Sequence, residues 1–143
     1  METQPKKIAI VHKDALLMST LARFSQVLGY DVATLLVDPD TEPQKVASFV
    51  EEHQPDLVLL AENYQKSIPY ELIAEGKRVE EFKKGEGLEA LVEIRKTHPT
   101  TPIVMISGAP RHREDALAKG ATGYLITPFG FSDYGSILKE YIR

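Results

Sequence analysis

The chain has 143 residues, of which 43% are hydrophobic and 27% charged, a length and balance that fit one globular domain and argue against disorder or a fibrous repeat. Its net charge is −4, and no block of Lys or Arg is longer than two residues, so the footprint of a nucleic-acid binder is missing. It has no cysteine, which excludes disulfides, thiolate metal sites and thiol catalysis and accords with a reducing compartment. No apolar run approaches membrane-spanning length, and "METQPKK" leads into a strand without a signal-type apolar region, so a cytoplasmic location is expected.

"KIAIV" at Lys7 to Val11 is a short β-branched run, and the following Leu17, Leu21, Phe24 and Leu28 recur at helical spacing. Asp14 stands where it can cap that helix, and Gly29 where a glycine closes one. Asp31 to Val37 forms the second strand, and "DPDTEP" offers Thr41 as N-cap of a helix carrying Val46, Phe49 and Val50. Asp56 to Leu60 is apolar on both faces, as a central parallel strand covered by helices must be.

An irregular stretch follows, from about Glu62 to Glu86. Within it Pro69 to Lys84 has a helical stripe of Leu72, Val79 and Phe82, with Ser67 near its start and Gly76 weakening its middle. Gly87 to Thr97, "GLEALVEIRKT", is a clear amphipathic helix, and Ile103 to Ile106 is the fourth strand. Arg111 to Lys119 reads as a short polar helix ending at Gly120, Gly123 to Ile126 as a fifth strand stopped by Thr127-Pro128, and Ser132 to Ile142 as the last helix. Five strands alternating with five helices imply a parallel sheet with right-handed crossovers and helices on both faces. Ligands in such folds bind beyond the C-terminal strand ends. That directs attention to His12, Lys13 and Asp14, to Ala61 and Glu62, and to Ser107 and Thr127.

The motifs "PDLVLL", "GLEALVEIRK", "PIVMISG" and above all "KGATGYLITPF", in this order and spacing, resemble the CheY-like response-regulator receiver family over about residues 6 to 143. The resemblance implies a single flavodoxin-like receiver domain with strand order 2-1-3-4-5 and an insertion, about 62–86, between strand three and helix three. In that family an aspartate after strand three accepts a phosphoryl group, acidic residues after strand one hold Mg²⁺, and a hydroxyl and a lysine bind the phosphoryl oxygens. Carried over residue by residue, the acidic pair falls on His12 and Lys13, the acceptor on Ala61, the hydroxyl on Ser107 and the lysine on Thr127. Only Ser107 keeps its type. Alanine offers no nucleophile, and Lys13 places a cation where a hard metal ion would need oxygens.

This is the pattern of a degenerate member, a pseudo-receiver without catalysis, cofactor or metal. The parts that read the switch remain: Ser107 and Tyr124 resemble the hydroxyl and aromatic pair that reports phosphorylation, and Thr127-Pro128 resembles the family's cis Lys-Pro step. Simpler readings stand beside these. Asp14 caps the first helix, Glu62 is solvated, Tyr124 is an ordinary strand aromatic, and Pro128 only ends a strand. His12, Asp14 and Glu62 form a loose potential metal cluster, whereas His53, His98 and His112 sit in unrelated surface settings. No glycine-rich phosphate loop follows strand one, and "ISGAP" is not a hydrolase elbow.

The expected function is phosphorylation-independent signal transduction by protein contact, with another signalling protein or output module as partner. The expected face is the fourth helix, fifth strand and fifth helix, with Tyr124, Pro128, Phe129, Phe131, Tyr134 and Tyr141 on or near it, and a homodimer through that face is implied by the resemblance. Two alternatives remain open: an anion or small-ligand sensor at Lys13, Ser107 and Thr127, and a divergent phosphoacceptor using Glu62 or Asp14. The insertion is expected to bury its apolar stripe over the site; the other reading is an exposed docking element.

Overall fold

A computed structural model of the chain describes residues 5–64, 86–108 and 112–142. Five strands run through it: β1 (Lys7–His12), β2 (Asp31–Leu36), β3 (Leu57–Ala61), β4 (Ile103–Ser107) and β5 (Gly123–Ile126). All pair in parallel in the order β2-β1-β3-β4-β5, which is the doubly wound arrangement that the sequence predicts. Five helices connect or follow them: α1 (Ala15–Val27), α2 (Pro43–His53), α3 (Glu86–Thr97), α4 (Arg113–Ala118) and α5 (Phe131–Tyr141).

The period-2 alternation of the strands divides the core between the two faces of the sheet. Ile8, Ile10, Leu57, Leu59, Val104 and Ile106 pack under Leu21 of α1 and Tyr134 and Leu138 of α5. On the other face Ala9, Val11, Val58, Leu60, Ile103 and Met105 meet Val46, Phe49 and Val50 of α2, Leu91 and Ile94 of α3, and Ala116 of α4. Each such fully buried aliphatic side chain removes enough surface from water to stabilise the fold by about 1.5–3 kcal/mol. Gly29 and Gly120 close α1 and α4 with φ of 95° and 109°, the left-handed region that a side chain opposes.

Of the two expected N-caps, one forms and the other does not. Asp14 does cap α1, its Oδ1 accepting from the backbone N–H groups of Leu16 and Leu17 at 2.9 and 3.2 Å. Thr41 does not cap α2. Its hydroxyl accepts from the N–H of Asp38 at 3.0 Å and lies 3.3 Å from the Asp38 carboxylate, so a local turn has taken the hydroxyl that a cap would use. Glu42 holds the N-cap position without a side-chain bond, and Pro43 follows in the first turn. The expected insertion helix, with Ser67, Leu72, Gly76, Val79 and Phe82, lies outside the described residues.

Candidate functional site

Register brings four strand ends to one edge of the sheet. Val11 lies opposite Leu60, Ala61 opposite Ile106 and Ser107 opposite Ile126. The ladder continues just past the strands, where Glu62 N–H donates to Ile106 O at 2.9 Å and Thr127 N–H to Ser107 O at 2.8 Å. His12, Ala61, Ser107 and Thr127 thus sit together where the sequence places them.

At β1 the two residues on which the resemblance puts a metal site, His12 and Lys13, are unsuited to a hard cation. His12 is buried, with 5% of its surface exposed. Its Nδ1 accepts the backbone N–H of Asp14 at 2.9 Å, so the ring must carry its proton on Nε2 when neutral. Burial, reinforced by the neighbouring Lys13 charge and opposed by Asp14, pushes its pKa down to about 4, so His12 is neutral at pH 7. Lys13 is half-buried; desolvation lowers its pKa, while the Glu86 and Asp14 carboxylates pull the other way. Mg²⁺ selects carboxylate, carbonyl and water oxygens. An imidazole and an ammonium do not supply them.

At β3 the methyl of Ala61 is buried, and the next residue turns to the opposite side of the strand. Glu62 is only 3% exposed, so it is not solvated as expected. Its Oε2 accepts the Tyr124 hydroxyl at 2.6 Å, and its Oε1 has no hydrogen-bond partner among the described residues. Ser107 also hydrogen-bonds the Tyr124 side chain, and burial first, then the Glu62 contact, raises the phenol to about 12. The serine and tyrosine singled out by resemblance are therefore in contact, and the same tyrosine is held by a carboxyl group that the sequence reading left in water.

Two groups at the site were not singled out from the sequence, Tyr64 and Glu86. Glu86 opens α3 and is 2% exposed; its Oε2 accepts the backbone N–H of Tyr64 at 3.0 Å, and its Oε1 has no partner among the described residues. Tyr64 is itself buried, and desolvation followed by the Glu86 charge raises its phenol pKa. The available signal was an acidic residue in the first turn of a helix, where the dipole favours it. Gly87 then packs so tightly that an added Cβ would lie 2.0 Å from Ala61 O.

Among the described residues no three His, Asp or Glu side chains are placed to hold a metal ion. Of the loose cluster read from sequence, Asp14 is used as a helix cap, Glu62 by Tyr124 and His12 by a backbone N–H. His98 is buried rather than exposed, with Nε2 3.2 Å from Glu51 across the α2–α3 contact. Thr127-Pro128 is a cis peptide, as the resemblance implies. On the expected interface, Pro128 and Phe131 are exposed, although Phe131 also packs edge-on against Phe24 at 4.4 Å. Phe129 and Tyr141 are half-buried. Tyr134 is fully buried, stacked on Phe129 and bonded to Ser25 at 2.6 Å, so it belongs to the core beneath that face.

The five-stranded order, the all-parallel pairing and the site at the C-terminal strand ends define a doubly wound α/β domain of the flavodoxin-like class. Within that class the fold is that of the CheY-like receiver domains. The chemotaxis protein CheY4 of Vibrio cholerae matches with a TM-score of 0.71 and 18% identity over 96% of this chain and 98% of that one. The receiver domain of NtrX from Brucella abortus matches with a TM-score of 0.71 and 22% identity over 94% and 97% of the two chains. The receiver domain of the sensor histidine kinase PA1611 from Pseudomonas aeruginosa, whose structure has a magnesium ion coordinated in the active site cleft, matches at 0.70 and 19% over 96% and 98%. No protein-family model matches the sequence, and neither does any curated protein sequence.

Proposed function

We propose that this chain is a pseudo-receiver, a signalling domain that works by protein contact and does not catalyse its own phosphorylation. The observation that carries this reading is the composition of the strand ends: a buried Ala61 methyl, a neutral His12 and the Lys13 ammonium stand at the positions where a receiver needs an acceptor and a metal site. The partner in this reading is another signalling protein or an output module, met through the α4, β5 and α5 face, and self-association through that face is its second form. Exposed Leu117, Ile126 and Phe131 supply apolar surface there. Among the described residues no helix is long and apolar enough to cross a membrane.

The buried carboxyl groups weigh against the alternatives. Glu86 and Asp14 bring negative charge to Lys13, which disfavours an anion at that pocket. Glu62 is too buried, and Asp14 too engaged in capping, to serve as an open phosphoacceptor. The deciding experiment is incubation of the full chain with acetyl phosphate and Mg²⁺, followed by intact-mass and peptide analysis. The proposal expects no mass gain. A phosphoryl-sized increment on Glu62 or Asp14 would overturn it.

A further inference from the structure

We propose that Glu62 is a built-in latch on Tyr124: the carboxyl group at the end of β3 holds the phenol turned inward across β4 and so keeps the α4, β5 and α5 face in one arrangement. Tyr124 lies on β5, at the edge of the sheet, yet its hydroxyl reaches Glu62 beyond the end of β3, two strands away, at 2.6 Å. Ser107 on the intervening β4 binds the same side chain. One phenol thus ties the ends of three strands, and Tyr124 also packs against the core on the α3 and α4 side. Arg113, the first residue of α4, is near enough to act on the phenol electrostatically, so the helix that borders the face lies beside the latch.

The contact is asymmetric. An outward-turned Tyr124 would regain water at its hydroxyl. Glu62 would not, because the residue is buried, its Oε1 has no partner among the described residues, and Oε2 receives the Tyr124 proton. Breaking this bond strands a buried carboxyl group, which costs more than the loss of a bond between two neutral, exposable groups. The inward state is therefore favoured by about tenfold or more, on the order expected when breaking a hydrogen bond leaves a buried acceptor unsatisfied. In an ordinary strand-end hydroxyl contact the balance would be closer to even. The effect of the latch on partner binding rests on the pseudo-receiver reading; the latch itself does not.

Tetranitromethane nitration of the full chain, mapped by peptide mass, reads the phenols one by one. Tyr124 is expected to be slow in the wild-type chain and to nitrate about tenfold or more faster in Glu62→Ala, while the core residue Tyr134 stays protected and so certifies the fold. Glu62→Gln keeps an amide oxygen that accepts the phenol proton, and it should leave Tyr124 close to the wild-type rate. Equal Tyr124 reactivity in the wild-type and Glu62→Ala chains, with Tyr134 protected in both, would overturn the latch. Should Glu62→Ala expose Tyr134, amide exchange at 123–126 in Tyr124→Phe decides instead: about tenfold faster exchange supports the latch, and unchanged exchange overturns it. Phosphorylation of Asp14 in the acetyl phosphate experiment would sink the proposed function and leave the latch standing, whereas equal Tyr124 reactivity in the wild-type and Glu62→Ala chains would do the reverse.

Discussion

His12 gives a sharp test of the strand-end electrostatics. Its folded pKa of about 4 lies below its ordinary value of 6.5, so between these values the unfolded chain holds a proton that the folded chain refuses. The unfolded state then binds more protons, and stability falls as pH drops from about 6.5 towards 4. From these two pKa values the loss due to His12 is about 1.4 kcal/mol at pH 5.5 and about 2.5 kcal/mol at pH 4.5, relative to pH 7.5. Burial is the main cause and Lys13 the second.

The perturbation is His12→Asn, because the amide oxygen can replace Nδ1 as acceptor for the Asp14 N–H without a titrating ring. The chain has no tryptophan, so urea unfolding is best followed by far-UV circular dichroism at pH 7.5, 6.5, 5.5 and 4.5, with linear extrapolation at each pH. Groups common to both chains cancel in the difference. The wild-type chain should lose stability relative to His12→Asn as the pH falls, by about 2.5 kcal/mol over the whole range. A difference that stays flat within about 0.5 kcal/mol would show that His12 titrates as an exposed imidazole, and the case for a neutral residue at the end of β1 would fail.

Two further substitutions probe the frame around the site. Gly87→Ala gains about 1 kcal/mol in helix propensity, but its Cβ would meet Ala61 O at 2.0 Å and the Glu62 Cα at 2.7 Å, and backbone cannot swing aside; net destabilisation of about 1–3 kcal/mol in urea unfolding is expected, and stabilisation would refute the close approach. Arg95 donates from Nε to Gly120 O at 2.8 Å, from one terminal nitrogen to His98 O and Thr101 O at 2.8 and 2.6 Å, and from the other to Thr122 Oγ1 at 3.2 Å. A lysine ammonium cannot span that fork, so Arg95→Lys should cost about 2–3 kcal/mol, and a loss below about 0.5 kcal/mol would show the fork to be incidental.

The sheet was legible because its signals are local. Buried runs such as "LVLL" before Ala61, helical spacing in α1 and α3, the cap at Asp14 and the closing glycines Gly29 and Gly120 each depend on neighbours in sequence. Strand-end geometry followed from the same spacing, which is why His12, Ala61, Ser107 and Thr127 were found together. Burial of Glu62 was not legible, because it depends on a tyrosine 62 positions away reaching across a strand. The same holds for Glu86, whose partner is the backbone N–H of Tyr64, 22 positions away. Thr41 failed for a different reason. Its hydroxyl had two local uses, and the turn with Asp38 won over the helix cap.

Four side chains at these strand ends, those of His12, Asp14, Glu62 and Glu86, share one property: each accepts a structural hydrogen bond. The Asp14 carboxylate holds two N–H groups of α1, the His12 ring accepts a third N–H, Glu86 holds that of Tyr64, and Glu62 holds the Tyr124 phenol. Each bond satisfies a group that burial would otherwise leave costly. A group placed to take up a phosphoryl group or a metal must be open to it in the resting fold, and its neighbours must not already neutralise the charge it needs. Here Lys13 lies near the Glu86 and Asp14 carboxylates instead of developing negative charge. What these bonds do maintain is the position of α1, α3 and Tyr124 relative to the sheet. A receiver fold whose strand-end groups serve that purpose is suited to presenting a fixed surface, and this is the physical ground for reading the domain as one that signals by contact.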